Sequence, residues 1–162
     1  MKERVPPVKI VNQIVEVCVF KVINAETRFL VLQRASKEKL YPELWQIITG
    51  TMKKNESAFK AAMRELKEET GLYPKRCWTI PYVDTYFDLA KDTIQLAPVF
   101  AVELNSSAEV HLSSEHQRFE WLQYDDAKKR LVWPGQKRAM EIVNEFIIGN
   151  KETARLVEIT QL

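Results

Sequence analysis

The stretch from Gly50 to Leu72, GTMKKNESAFKAAMRELKEETGL, constrains the fold more than any other part of the chain. Phe59, Ala62, Met63 and Leu66 recur at i, i+3, i+4 and i+7, which is the spacing of one apolar helix face. Asn55 or Ser57 suits the cap of that helix, and Gly71 suits the left-handed residue that follows it. The same helix carries Glu65, Glu68 and Glu69 in its last two turns. At about 100° per residue, Glu65 and Glu69 lie about 40° apart and Glu68 about 60° from Glu65, so all three share one flank. Like charges at these spacings oppose a helix by a few tenths of a kcal/mol per pair, and the negative end of the helix dipole adds a similar penalty.

Two readings account for these acids. In one they form a solvated face, with Arg64 pairing Glu68 at i,i+4. In the other they are hard oxygen ligands of the kind that Mg²⁺ prefers, completed by substrate phosphates. Gly50, just ahead of the helix, lets the backbone approach another group closely, and Arg64 can hold the intervening loop through an acid. The second reading describes a platform for a metal-bound polyphosphate.

Around the helix the pattern is that of strands. IVEVCVF (14–20) and FLVL (29–32), joined by the polar NAET, read as a hairpin. RASKEKLYPE reads as a loop and LWQII as a short strand entering Gly50. CWTIPYVDTYFDL and TIQLAPVFAVEL, separated by AKD, read as two more strands. AEVHL and FEWLQY bracket SSEHQR, which reads as a loop, and DDAKKRL as a short helix. After Pro134, the positions Ala139, Ile142, Val143, Phe146 and Ile147 predict a second long amphipathic helix. The tail from Gly149 is polar, with no clear pattern. Residues 1–162 show no internal repeat or linker and suit one mixed α/β domain.

Composition narrows the setting. With 24 basic and 22 acidic residues and a formal charge of +2, the chain has no basic cluster for nucleic acid. Cys18 and Cys77 are too few for a disulfide framework or a cysteine metal cluster, which makes a reducing cytoplasm the expected location. No stretch approaches the roughly 20 apolar residues of a membrane span.

Gly50, Glu56, Arg64, Glu65, Leu66, Glu68, Glu69, Gly71 and Leu72 occupy every specified position of the motif G-x5-E-x7-R-E-U-x-E-E-x-G-U, with U aliphatic. The stretch thus resembles the Nudix box. Seven fixed residues match by chance on the order of 10⁻⁹ times per starting position. The resemblance implies the Nudix fold, an α/β/α sandwich around a curled mixed sheet, and a hydrolase that cleaves a nucleoside diphosphate linked to another group. It also implies Glu65, Glu68 and Glu69 as ligands of Mg²⁺ or Mn²⁺, and Glu56 and Arg64 as the ion pair bracing the loop. Glu65 is the first choice of general base by the same likeness. A homodimer is compatible with the family.

LWQIITG and SSEHQRFEWL further resemble the bacterial dATP pyrophosphohydrolase and dihydroneopterin triphosphate pyrophosphatase group. That likeness implies Glu115 as an additional metal ligand or the base, and leaves His116 unassigned. Arg34 is a candidate for the phosphates, and Trp45 and Gln46 for the substrate pocket beside Gly50. Tyr86, Phe87, Trp121 and Trp133 are candidates for a base-stacking wall, although core packing is the default for such residues. Solvated charge is the default for Lys137 and Arg138. The leading expectation is a nucleoside triphosphate cleaved to monophosphate and pyrophosphate. The alternatives are oxidised nucleotides, dinucleoside polyphosphates, nucleotide sugars, or a nucleotide-sensing module without hydrolysis.

Overall fold

The strand at the centre of the molecule is apolar on both faces, and that property organises the rest. In the computed structural model, which describes residues 7–160, β1 (Lys9–Val11) and β2 (Ile14–Ile23) are followed by β3 (Glu26–Arg34), β4 (Trp45–Gln46) and β5 (Ile48–Thr51). Next come α1 (Ala58–Thr70), β6 (Arg76–Asp88), β7 (Thr93–Leu104), β8 (His116–Leu122), α2 (Tyr124–Arg130) and α3 (Pro134–Ile142). A π-helical turn at Val143–Ile148 leads to α4 (Lys151–Val157) and β9 (Glu158–Ile159). Residues 1–6 and 161–162, included in the single domain expected from sequence, lie outside the described residues.

All nine strands among the described residues belong to one mixed sheet. β2 runs parallel to β7 on one edge, and on the other it is antiparallel to β3 through Phe20–Ile23 and to β5 through Ile14–Val17. Because successive side chains on a strand alternate faces, Val15, Val17 and Val19 point to one side, where they pack with Ile48, Leu66 and Phe100 under α1. Cys18 and Phe20 point to the other side and meet Trp78, Met140 and Val143, under α3 and the π-helical turn. A strand covered on both faces reads as a nearly continuous apolar run, as β2 does apart from Glu16 and Lys21, where a half-exposed strand would alternate. The expected helix–sheet–helix sandwich is what forms. Both thiols are buried and unpaired, one in each core.

The hairpin turns through Asn24 and Ala25, both with positive φ (49° and 65°), the pair of conformations that matches strand twist in a two-residue loop. Of the two candidate caps for α1, Ser57 takes the role, its Oγ accepting from the Lys60 N–H, while Asn55 sits in the preceding turn with φ 61°. Gly71 closes the helix at φ 69°, its N–H donating to the Lys67 carbonyl.

Four expectations change. LWQII is two strands, because the Ile47 N–H donates to the Gln136 side chain. AEVHL joins no strand; it crosses the end of α1, where the His111 and Ser113 N–H groups donate to the Thr70 and Glu69 carbonyls. The loop at SSEHQR ends early, since β8 begins at His116. The late helix changes to π geometry at Val143, and the polar tail beyond it folds into α4 and β9, which pairs with Cys77 and Trp78 and is tied by Arg76 to Glu158. β6 tolerates Pro81 because its register with β7 shifts between Thr79 and Val83.

Leu66 is fully buried and carries much of the α1 contact with the sheet. Leu66→Ala is expected to destabilise the protein by about 3 kcal/mol, measured by urea denaturation.

Candidate active site

One arginine organises the carboxylates at the end of α1. The Arg64 Nε and Nη2 donate to the two oxygens of Glu56 (2.8 and 2.9 Å), and Nη2 also reaches the Thr51 carbonyl (2.9 Å). Nη1 donates to Glu65 (2.6 Å) and Glu68 (2.9 Å). Every N–H of the guanidinium is thereby used. Glu56 in turn accepts from the Lys53 backbone N–H at 2.8 Å, which pins the loop between β5 and α1. The Arg64 hydrogen bonds and that N–H hold the Glu56 carboxyl down at about 2.

Glu65 lies across Gly50. A Cβ built on Gly50 would stand 2.0 Å from the Glu65 Cγ, so the absence of a side chain there is what lets the carboxylate settle over β5. Burial raises the Glu65 acid above its ordinary value, with the charges of Glu68 and Glu115 adding to the rise and Arg64 opposing it. Glu68 is exposed and is shared between Arg64 and Lys53, 3.6 Å away.

Glu69 is the most costly residue of the set. It is only 3% exposed, and its Oε2 has no hydrogen-bond partner. Burial comes first, then the charges of Glu65 and Glu115, in raising its acid well above the ordinary range. His116 Nδ1, also buried without a partner, stands 3.8 Å from that oxygen. The His116 Nε2 is 3.4 Å from the Gln46 side-chain nitrogen. Burial and the Arg34 charge lower the imidazole to about 4, so at neutral pH it is uncharged and gives Glu69 no counter-ion.

The sequence candidates divide by position. Glu65, Glu68, Glu69 and Glu115 are close enough for their charges to act on one another, with Glu115 coming from the exposed loop before β8. Among the described residues, no three acidic, histidine or cysteine side chains are drawn close enough to hold a metal as they stand, because Arg64 turns Glu65 and Glu68 toward itself. The Arg34 N–H groups go to the Leu40 carbonyl and to Glu38, so this residue folds back on its own loop. Trp45 packs on the core and lies under the Arg130 guanidinium, 5.0 Å from its ring. Gln46 is buried beside His116. Phe87 is exposed, Trp121 packs on the core beneath Lys21, and Trp133 meets Tyr41 edge-on. His116 is the residue that sequence reasoning left aside, and its only signal was its place next to Glu115.

The residues fit a divalent cation. The donor set is all carboxylate oxygen, a buried Glu69 oxygen lacks any partner, and the site holds more negative charge than Arg64 can offset.

The chain is similar to known proteins in sequence and in fold. The description of the NUDIX domain family matches residues 12–142. A Myxococcus xanthus protein named octanoyltransferase is 32% identical over 143 residues, covering 84% of this chain and 36% of the relative, so the chain spans about a third of that protein. The bis(5'-nucleosyl)-tetraphosphatase (asymmetrical) of Caenorhabditis elegans is 30% identical over 133 residues, 81% of this chain and 93% of the relative. A solved C. elegans Ap4A hydrolase complex superposes with a TM-score of 0.71 at 25% identity, covering 87% of this chain and 100% of that one. The Escherichia coli dihydroneopterin triphosphate pyrophosphohydrolase, at 23% identity over 80% of this chain and 95% of its own, shares the fold with a TM-score of 0.65. The chain belongs to the Nudix family. No helix among the described residues is long and apolar enough to cross a membrane.

Two predictions follow from the strain at Glu69 and Gly50. A carboxyl whose folded pKa lies above its ordinary 4.5 binds its proton more tightly when folded, so it burdens the fold at high pH and ceases to as the pH falls. Glu69→Gln should therefore raise the metal-free Tm at pH 8 but not at pH 4; a rise in Tm on adding Mg²⁺ or Mn²⁺ is expected in the parent protein and not in the variant. Gly50→Ala should displace Glu65 and lower kcat by about a hundredfold, read by steady-state kinetics, with the circular dichroism spectrum preserved.

Proposed function

We propose that this enzyme hydrolyses a nucleoside triphosphate, or a related pterin triphosphate, to the monophosphate and pyrophosphate with Mg²⁺ or Mn²⁺. The observation that carries this reading is the buried, partnerless Glu69 oxygen amid three further carboxylates at the end of α1. Glu65, Glu68, Glu69 and Glu115 would hold the cation. When bound, it supplies positive charge to the phosphate oxygens and polarises the phosphoryl group.

The chain's own groups do the remaining work. Water attacks the α or the β phosphorus, the anhydride oxygen between them leaves with the other fragment, and a carboxylate takes the proton of the water. Glu65 is suited to that role: burial raises its basicity and Arg64 fixes its direction over Gly50. Glu115, on a loop beside Glu69, is the alternative base. The Arg64–Glu56 pair keeps the loop and helix in register while the acids change partners.

A second reading draws support from the C. elegans tetraphosphatase, similar over nearly its full length: a dinucleoside tetraphosphate cleaved asymmetrically. A Mg²⁺- and Mn²⁺-supplemented panel of the eight common nucleoside triphosphates, dihydroneopterin triphosphate and diadenosine tetraphosphate, with products separated by chromatography, tests both. Monophosphate and pyrophosphate, reduced at least about a hundredfold by Glu68→Gln, is the expected result. Release of a mononucleotide with a triphosphate from diadenosine tetraphosphate alone would favour the second reading. No turnover of any compound would overturn both and point to a binding module without hydrolysis.

A further inference from the structure

A cavity of about 400 Å³ lies on the sheet face that α3 and the π-helical turn cover, at the end of β2 remote from Gly50. Gly50 pairs with Val15, whereas Phe20, on the cavity floor, comes five residues further along β2, about 16 Å away at the rise of a strand. The helix-end carboxylates therefore take no part in it. Its outer wall is built from the π-helical turn and α4, which follow residue 142, the last one matched to the family.

The floor is aromatic, yet it leaves no ring face open. Phe20 and Trp78 stack with centroids 5.8 Å apart and their planes 24° from parallel, and the Arg76 guanidinium lies over the indole, 4.8 Å from its centroid. A ligand in the cavity would meet the indole at its edge. Trp78 is 2% exposed, and the Nε1–H on that edge is buried without an acceptor. A buried donor of this kind calls for an oxygen. Ile147, Ile148 and Ala154 supply the wall, and with no face left for stacking they suit an aliphatic body better than a ring.

Charge is concentrated at the mouth. Arg76, Lys151 and Arg155 are exposed while Phe20, Trp78 and Ile147 are buried, so the cavity opens to solvent past the cations. The acids beside them are already answered. Arg76 donates to both oxygens of Glu158 at 2.8 Å, Lys75 donates to Glu103 at 3.0 Å, and the Arg155 charge bears on Glu158 as well. Lys75, Arg76, Lys151 and Arg155 thus stand against Glu103 and Glu158, a surplus of two positive charges.

We propose that this cavity is a second ligand site, which takes a straight-chain aliphatic carboxylate. The carboxylate accepts from the Trp78 N–H and from Lys151 and Arg155, whose long side chains reach over the mouth, and the chain lies against Phe20, Ile147, Ile148 and Ala154. A small inorganic anion would leave the apolar wall unused. An uncharged chain would leave the surplus charge unanswered. The proposal stands apart from the nucleotide reading and does not depend on it.

The test is isothermal titration calorimetry of the full chain with straight-chain carboxylates from butanoate to decanoate, each kept below its micelle concentration, beside the matching alcohols and phenyl phosphate. Affinity should rise about fourfold per added methylene until the cavity is filled, and each alcohol should bind about tenfold more weakly than its carboxylate. Lys151→Glu combined with Arg155→Glu, both at exposed positions, should weaken carboxylate binding by about tenfold or more and leave nucleotide turnover as in the parent. Ala154→Leu, which enlarges a side chain of the wall, should abolish binding of the longest carboxylates; should it fold poorly, the double charge reversal decides. No saturable binding of any carboxylate, equal affinity for the alcohols, or affinity unchanged by the charge reversal would overturn the proposal. Tighter binding of phenyl phosphate than of every carboxylate would overturn it too, in favour of an aromatic phosphate.

Discussion

The Arg64 guanidinium is the interaction on which the helix-end site depends. Its five hydrogen bonds join four separate acceptors: a loop acid, a strand carbonyl and two acids of its own helix. A lysine has three donors and no planar fork, and could not close this set. Without it, Glu65 would lose its partner and Glu68 would keep only Lys53, at the end of a helix whose dipole already disfavours them. The arrangement also explains how the chain holds an acidic centre at a helix end. Arg64 satisfies the two outer acids, while the buried one keeps an oxygen unmatched.

The end of α1 is tied down from the opposite side as well. Its last carbonyls would be orphaned by the turn at Gly71, and the crossing segment 111–113 supplies N–H donors to two of them. That crossing leads directly to Glu115 and His116, whose backbone is fastened by the Ala35 N–H to the Glu115 carbonyl. A helix terminus that needs donors thus recruits the loop that carries the fourth carboxylate. Packing and chemistry share one set of hydrogen bonds here.

β5 shows the same economy. It is short, and one edge of it is held by β2. On one side the Gln136 amide bonds to Thr49 and to the Ile47 backbone just before the strand; on the other, Glu65 lies against Gly50. Small movements of this strand would be felt by Gln136 and by Glu65 alike. The single-residue break at Ile47, which divides what reads as one strand, is the cost of placing Gln136 beside Glu16.

Local chemistry made the centre of the molecule legible. The 3.6-residue stripe of α1, its glycine stop and the fixed spacing of acids, arginine and Gly50 depend on neighbours within a few turns, so the linear order carries them. The hairpin and the paired strands β6 and β7 were legible for the same reason. Long-range contacts decided what stayed hidden. AEVHL has the composition of a strand but is captured by the carbonyls of α1. The polar tail folds where Ala154 and Val157 pack on the core and β9 pairs with Cys77 and Trp78, far away in sequence, beside the Arg76–Glu158 ion pair. Arg34 donates to Leu40 and Glu38, partners that its place at the end of a strand does not reveal, while its charge still bears on Glu69 and His116. Glu16 is the plainest case. In sequence it is one acid inside an apolar strand, and only the return of α3 across the sheet supplies the Gln136 amide that bonds it. The sequence alone therefore determined the catalytic class, because a box of adjacent residues encodes it. The tertiary structure decided which distant groups surround that box, because each of their contacts joins parts of the chain that no local spacing relates.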